Sequence, residues 1–346
     1  MTTALFAMGA QAGPATAQLT PERTYYGRYR PVPMNVRIPP GQKGEPVIAL
    51  LDAVTAIRRA SSPVGPGTVN LEVLFPSLWQ EKKPEEKTPE IPRLVYAQLI
   101  VGDKKIGPAV VLQPMLDAPY APYIDENGTP QFRQTKGVYS GLRAYVERHI
   151  ILETSLGDIE LAMRPDEAPN TTWNFLALAA GGFYTDIIFH RVKAVNPTNG
   201  APFVIQAGDP LQRADSPPPE PGKPTGAGEG GPGYWLNLEP SKLPHDFGIL
   251  SMARKSDGTL PNLAGSQFFI SLSRKGTESL DGKYTAFAQA VSGGDVILKI
   301  AATELLPGTD RPKDPPIIKR CRLVDAPPYG EGPPPVKRPD DKPVQR

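Results

Sequence analysis

Cysteine is nearly absent from this 346-residue chain: Cys321 stands alone. That excludes an internal disulfide framework and any cysteine-rich metal site. Histidine is almost as scarce. His149, His190 and His245 are widely spaced and form no His-x-x-x-His pair, so no metal site and no zinc enzyme is expected. No apolar run approaches the roughly 20 residues of a membrane helix, so no membrane span is expected. Neither sign of charge dominates: 38 Lys and Arg face 36 Asp and Glu, a net of +2. A broad basic face for nucleic acid is therefore not expected. What the chain has in quantity is proline (43) and glycine (33), which predict many turns and little long helix. The glycines of Gly226-Ala227-Gly228-Glu229-Gly230-Gly231 come near a dinucleotide fingerprint. They follow no apolar strand and run into Pro232-Gly233 instead of a helix, so no phosphate-bearing cofactor is expected.

The length suits two domains. Residues 1–23 read as a signal peptide or a disordered start. Ala4 to Ala10 could serve as a short apolar core, and Ala15-Thr16-Ala17 fits a small-residue cleavage site, although a positive leading segment is missing. On that reading the protein is periplasmic or secreted; a cytoplasmic location is the alternative. Residues 24–147 suggest a small β-rich or mixed α+β domain. Within it, Val47 to Arg59 has helical apolar spacing, and Val69 to Phe75 alternates like a half-buried strand. Lys82 to Pro92 is a charged loop, Leu94–Val101 and Ile106–Leu112 form a hairpin, and Ser140–Val146 is a short helix. From His149 the texture changes to many short strands. Two strands turn near Leu156-Gly157-Asp158. A helix capped by Asn170 carries Trp173, Leu176 and Ala180 on one face and ends at Gly181-Gly182. A second helix spans Asp295–Thr303, and Ile317–Val324 is a last strand. Residues 327–346, with seven prolines, read as a disordered tail. No Gly/Ser linker parts the halves at 140–150, so limited relative freedom is expected.

Two blocks carry the chemistry. One is Phe189-His190-Arg191-Val192, rejoined at Phe203-Val204-Ile205-Gln206-Ala207-Gly208-Asp209. The other is Leu250-Ser251-Met252-Ala253, followed by Gly265-Ser266-Gln267-Phe268-Phe269-Ile270. Together they resemble the active-site signature of the cyclophilin-type peptidyl-prolyl isomerases, over about residues 149–326, within a domain expected at 148–326. The resemblance implies a mainly β fold: a closed antiparallel β-barrel with two short helices. It implies rotation of X-Pro peptide bonds, with Arg191 as the catalytic residue. Phe203, Val204, Phe269 and Leu280 would form the proline pocket; Gln206, Ala253 and Gln267 would line the groove, with Tyr284 at the rim. Strand alternation would put Val204 and Gln206 on one face and Phe203 on the other. The glycine run would border the groove, and His190 would be structural.

The chemistry fits a chain without cofactor, metal or nucleophile. Rotating an amide crosses a barrier of about 18–20 kcal/mol, and the proline nitrogen regains its lone pair on the way. A guanidinium, always charged and rich in donors, can meet that lone pair. The expected partners are proline-containing unfolded or flexible polypeptides, met by a monomer. The sequence also departs from the family pattern. Residues 193–202 enlarge the segment after Arg191. Ser279 stands where many eukaryotic members have a tryptophan, and Tyr284 where many have a histidine. Weak binding of cyclosporin-type macrocycles follows from Ser279. Two alternatives belong to other classes: a non-catalytic proline-peptide binding or scaffold module, which the enlarged segment motivates, and a partner- or client-binding role centred on residues 24–147.

Overall fold

The computed structural model describes residues 18–79, 93–116, 120–128, 130–134, 138–216, 228–255 and 263–339. The stretches behind the expected export signal and the whole charged loop 82–92 lie outside them. All strand pairings among the described residues are antiparallel, grouped in four sheets.

The N-terminal half is built on one sheet in the order Tyr25–Gly27, Tyr139–Val146, Val110–Leu116, Val95–Val101, Pro46–Asp52, Arg58–Pro63, with the short strand Lys104–Lys105 added to Val95–Val101. Both faces are covered. Ile48, Leu50, Ala97, Leu99, Val110 and Leu112 face a core shared with Leu19, Met34 and Leu71. Their neighbours Ala49, Leu51, Tyr96, Ile100 and Val111 face the other way, into a core continuous with the C-terminal half. That two-sided burial explains the misreading of Val47 to Arg59 as a helix. A strand buried on both faces shows a continuous apolar run, which periodicity cannot separate from a helix. The segment is two strands, Pro46–Asp52 and Arg58–Pro63, turning at residues 53–57.

Three further expectations in this half change. Ser140–Val146 lies in the strand Tyr139–Val146, paired on both sides; Gly141 has φ +147°, and a Cβ there would stand 2.0 Å from the Tyr26 carbonyl oxygen. The predicted strand Val69–Phe75 is a strand only to Asn70. The Asn70 side chain then accepts from the Glu72 N–H (3.2 Å) and caps a single helical turn, Leu71–Leu74. The chain also enters the fold earlier than residue 24: Leu19–Pro21 pairs with Pro33–Val36, which pairs with Gly67–Asn70. The hairpin through Gly102 forms as expected, with Val95–Val101 against Val110–Leu116.

The C-terminal half is a nine-stranded sheet. Its order is Ile187–Ile188, Ile317–Asp325, Arg148–Thr154, Gly157–Met163, Ala286–Ser292, Ile249–Lys255, Leu263–Ser271, Pro202–Ala207, Arg191–Val195. The two edge strands are consecutive in the chain and separated only by Phe189-His190. The hydrogen-bond ladder is therefore not closed, in contrast to the expected closed barrel. At the gap, Phe189 N–H donates to the Pro316 carbonyl (2.8 Å) and Val192 N–H to the Asp310 carbonyl (2.7 Å), so a loop takes the bonds a neighbouring strand would have taken. The core is aromatic: Phe175 packs on Tyr184, Phe268 and Phe287 with ring centroids 4.8, 5.3 and 5.0 Å apart.

Helices lie at Pro169–Ala180 and Gly294–Ala301, with Val296, Ile297 and Ile300 inward as expected. The first begins at Pro169 after Ala168, so Asn170 is not its cap. The Glu239 carboxylate, from a distant loop, accepts the free N–H groups of Asn170 (3.1 Å) and Thr171 (2.7 Å) instead. Phe175, Leu176 and Ala179 form its buried face, while Trp173 turns to the N-terminal half and meets Tyr145 at 4.9 Å and Tyr25 edge-on at 6.3 Å.

The Pro-rich tail is the largest correction. Residues 327–339 lie across both halves. Tyr329 stacks on Tyr96 (4.1 Å), donates its N–H to Gln98 Oε1 (3.0 Å) and its hydroxyl to the Ala53 carbonyl (3.0 Å). Val336 N–H then bonds the Ala290 carbonyl (2.9 Å), and Arg338 bonds the Leu272 carbonyl (2.9 Å).

Glu147, on the link between the halves, has a carboxylate oxygen sealed from solvent without a hydrogen-bond partner among the described residues. Burial, helped by the charge of Asp166, pushes its carboxyl up to about 8. The unfolded chain releases that proton near 4.5, so stability is fully present below that pH and is lost as pH rises through about 8. Glu147→Gln should melt at the same temperature as the unsubstituted protein near pH 4.5 and at least about 2–4 °C higher at pH 8.5. Equal melting temperatures by circular dichroism at pH 8.5 would contradict this.

Candidate active site

Arg191 is the first residue of the strand that follows the gap, and in register it faces Gln206 across the adjacent strand. Its Nη1 donates to Gln206 Oε1 (3.1 Å), and its Nε donates to Asp310 Oδ2 (3.3 Å). Gln206 Nε2 donates to Gln267 Oε1 (3.1 Å), and Gln267 Nε2 to the Gly230 carbonyl (2.8 Å). These bonds run from the loop bearing Asp310, across three strands, to the glycine segment.

The relay borders a cavity of about 530 Å³, which brings together all nine residues read from the sequence: Arg191, Phe203, Val204, Gln206, Ala253, Gln267, Phe269, Leu280 and Tyr284. Val204 and Phe269 are buried, and Phe203 and Leu280 are partly exposed. Alternation would have sent Phe203 to the other face. It is the second residue of its strand, and the cavity nevertheless includes it together with Val204 and Gln206. Phe269 is held in an aromatic stack, parallel to the His245 ring (5.8 Å) and edge-on to Tyr284 (5.5 Å), and the Arg254 guanidinium lies 4.5 Å over the Tyr284 ring.

Gly228 and Gly230 line the cavity, so the glycine segment borders the groove as expected, and Asp209 fixes it. Gly208, at φ +90°, turns the chain where a Cβ would lie 2.4 Å from the Ser266 carbonyl oxygen. The buried Asp209 carboxylate then accepts from Leu211 N–H (2.9 Å) and Gly228 N–H (2.7 Å). The enlarged segment after Arg191 folds as a hairpin. Asn196 closes it with Ala201 (2.8 Å) and ties it to the Gly276 carbonyl (2.7 Å), and none of residues 193–202 lines the cavity.

Sequence reasoning missed Trp235, Arg254, Thr309, Asp310 and Arg311, all of which border the cavity. Trp235 had a weak signal, since it closes the glycine run. Asp310 and Arg311 had none, lying more than a hundred residues from Arg191. Among the described residues, no cluster of three or more His, Cys, Asp or Glu could hold a metal. No helix among them is long and apolar enough to cross a membrane.

Residues 149–323 match the family model of cyclophilin type peptidyl-prolyl cis-trans isomerases. A peptidyl-prolyl cis-trans isomerase of Arabidopsis thaliana is 33% identical over 181 residues, which are 51% of this chain and 93% of that protein. A peptidyl-prolyl cis-trans isomerase-like protein of Cryptococcus neoformans is 32% identical over 183 residues, 51% of this chain and 27% of its own length. The chain thus spans about a quarter of that longer relative. A Cryptosporidium parvum enzyme of the same type, also solved in the presence of dipeptide Ala-Pro, is 31% identical in crystal form. It covers 52% of this chain and 99% of its own, with a TM-score of 0.41. The chain belongs to the cyclophilin-type peptidyl-prolyl cis-trans isomerase family.

His190 lines the cavity next to Arg191, and both of its ring nitrogens lack a hydrogen-bond partner among the described residues. Burial lowers its pKa to about 4; the nearby guanidiniums of Arg311 and Arg191 push the same way, against Asp209. The ring is therefore neutral across the physiological range and is no proton carrier there. An NMR titration should show His190 without an inflection between pH 5.5 and 8; a midpoint above 6 would contradict this reading.

Proposed function

We propose that the protein accelerates cis–trans rotation of X-Pro bonds in unfolded or flexible polypeptides, with Arg191 as the electrostatic catalyst. The observation that carries this is the guanidinium, held by two side chains, at the edge of a cavity walled by Phe203, Val204, Phe269 and Leu280.

A proline ring seated among those apolar walls is held while the residue before it turns. Twisting the amide breaks its resonance and makes the proline nitrogen pyramidal, so a lone pair appears that the planar ground state lacks. A donor fixed in advance at that point stabilises the twisted state more than either planar one, which is the requirement for catalysis. Nη1 and Nε of Arg191 are occupied, and its second terminal nitrogen has no partner among the described residues. That nitrogen is the donor offered to substrate. Each tenfold in rate requires about 1.4 kcal/mol, within reach of one charged hydrogen bond in a partly dehydrated site. Gln206, Gln267 and Ala253 line the groove that takes the flanking peptide. The competing reading, a proline-peptide scaffold without turnover, drew on the enlarged segment 193–202, which stays out of the cavity.

In a protease-coupled assay on an Ala-Pro peptide, Arg191→Ala should lose at least tenfold in kcat/KM while keeping its circular dichroism spectrum. An unchanged rate would remove the proposed catalyst. Ser279 is exposed on the turn Glu278–Leu280 and offers no indole. Cyclosporin-type macrocycles should therefore bind weakly, and nanomolar inhibition in the same assay would refute that expectation.

A further inference from the structure

The loop from Ala302 to Pro312 has no place in the sequence signature, yet it delivers a carboxylate to Arg191. It is a braced loop. Leu306 N–H donates to the Arg311 carbonyl (2.9 Å), Lys313 N–H to the Glu304 carbonyl (2.8 Å), and Leu305 pairs with Pro312. Within it, Thr309 Oγ1 accepts from Arg311 N–H (3.1 Å) and donates to the Leu306 carbonyl (3.0 Å). Arg311 Nη1 pins the loop to the barrel through Gln212 Oε1 (2.6 Å). Asp310 is joined to the catalytic strand twice. Its carbonyl accepts Val192 N–H (2.7 Å), and its Oδ2 accepts Arg191 Nε–H (3.3 Å).

A guanidinium on a long flexible stem can swing and roll. One hydrogen bond donated by Nη1 to Gln206 leaves rotation about that bond free. A second bond at Nε, from a different element, fixes the plane. Both side chains of the Arg191–Asp310 pair are well exposed, 38% and 42%, so the pair contributes little to stability. Its consequence is orientation, and misplacement of a catalytic donor by even an ångström is costly.

We propose that Asp310 is a positioning residue for catalysis: by accepting from Nε it sets the guanidinium plane and leaves the second terminal nitrogen aimed into the cavity. The proposal rests on the isomerase reading given above, and its test separates the two. In the protease-coupled assay with the full chain, Asp310→Ala and Asp310→Ser should each lower kcat about 5- to 20-fold. KM should stay within about twofold and the melting temperature close to that of the unsubstituted protein. Asp310→Asn, which keeps an acceptor of the same shape, should restore at least half of kcat. In nitrogen-15 NMR, the Arg191 Nε–H signal, identified by its loss in Arg191→Ala, should move to the position of a free arginine in Asp310→Ala and stay near its original place in Asp310→Asn. If Asp310→Ala and Asp310→Ser keep kcat within twofold while Arg191→Ala loses tenfold, the positioning role is overturned and the isomerase reading stands. If Asp310→Asn falls as far as Asp310→Ala, a hydrogen-bonding role is likewise overturned. An Arg191 Nε–H signal that does not move in Asp310→Ala overturns it without reference to activity. If Arg191→Ala itself keeps full activity, the isomerase reading fails, and the NMR signal still decides whether Asp310 holds the guanidinium.

Discussion

The two-residue interruption between Ile188 and Arg191 governs the C-terminal half. A sheet of nine twisted strands brings its two edges round to this point, and the chain passes from one edge to the other without completing the ladder. Main-chain donors left open by the gap need acceptors, since unpaired buried N–H groups are costly. The loop through Asp310 and Pro316 supplies them. Closing the gap with a loop instead of a strand leaves side-chain space beside it. Into that space project His190, Arg191 and the loop's own Thr309, Asp310 and Arg311, so the cavity lies where the ladder fails.

The same relation between backbone need and side-chain placement recurs around the site. Asp209 is buried because two loop N–H groups need an acceptor, and satisfying them sets the glycine segment that Gln267 reaches. Glu239 reaches the helix start because Pro169 opens the helix with no capping side chain of its own. The N-terminal half is joined to this arrangement through a common core, Trp173 against Tyr145, and the bond from Gln113 to Asn170 (3.0 Å).

The sequence was most legible where chemistry is written in consecutive residues. Phe189 to Val192, Phe203 to Asp209 and Gly265 to Ile270 each place several cavity residues on one or two strands, so a local pattern implies a local geometry. It was least legible where burial is two-sided or partners are remote. Val47 to Leu51 and Ser140 to Val146 carry apolar residues on both faces because both faces are covered, which erases the period-two signature of a strand. Pro327 to Pro339 has the composition of a disordered tail, but a single aromatic ring, that of Tyr329, finds a stacking partner in Tyr96, and Val336 and Arg338 find carbonyl acceptors. Asp310 meets Arg191 across 119 positions of sequence, a distance at which no motif operates.

The path of that tail has a kinematic consequence. The chain crosses between its halves first at Val146 to Arg148, and it returns at Tyr329 before crossing again to Val336. The halves are thus tied by covalent chain at one crossing and by the returning tail at another, in addition to the core between them. The tail therefore acts as a strap across a seam that the common core already fills, so separating the halves requires its contacts at Tyr329 and Val336 to be given up as well.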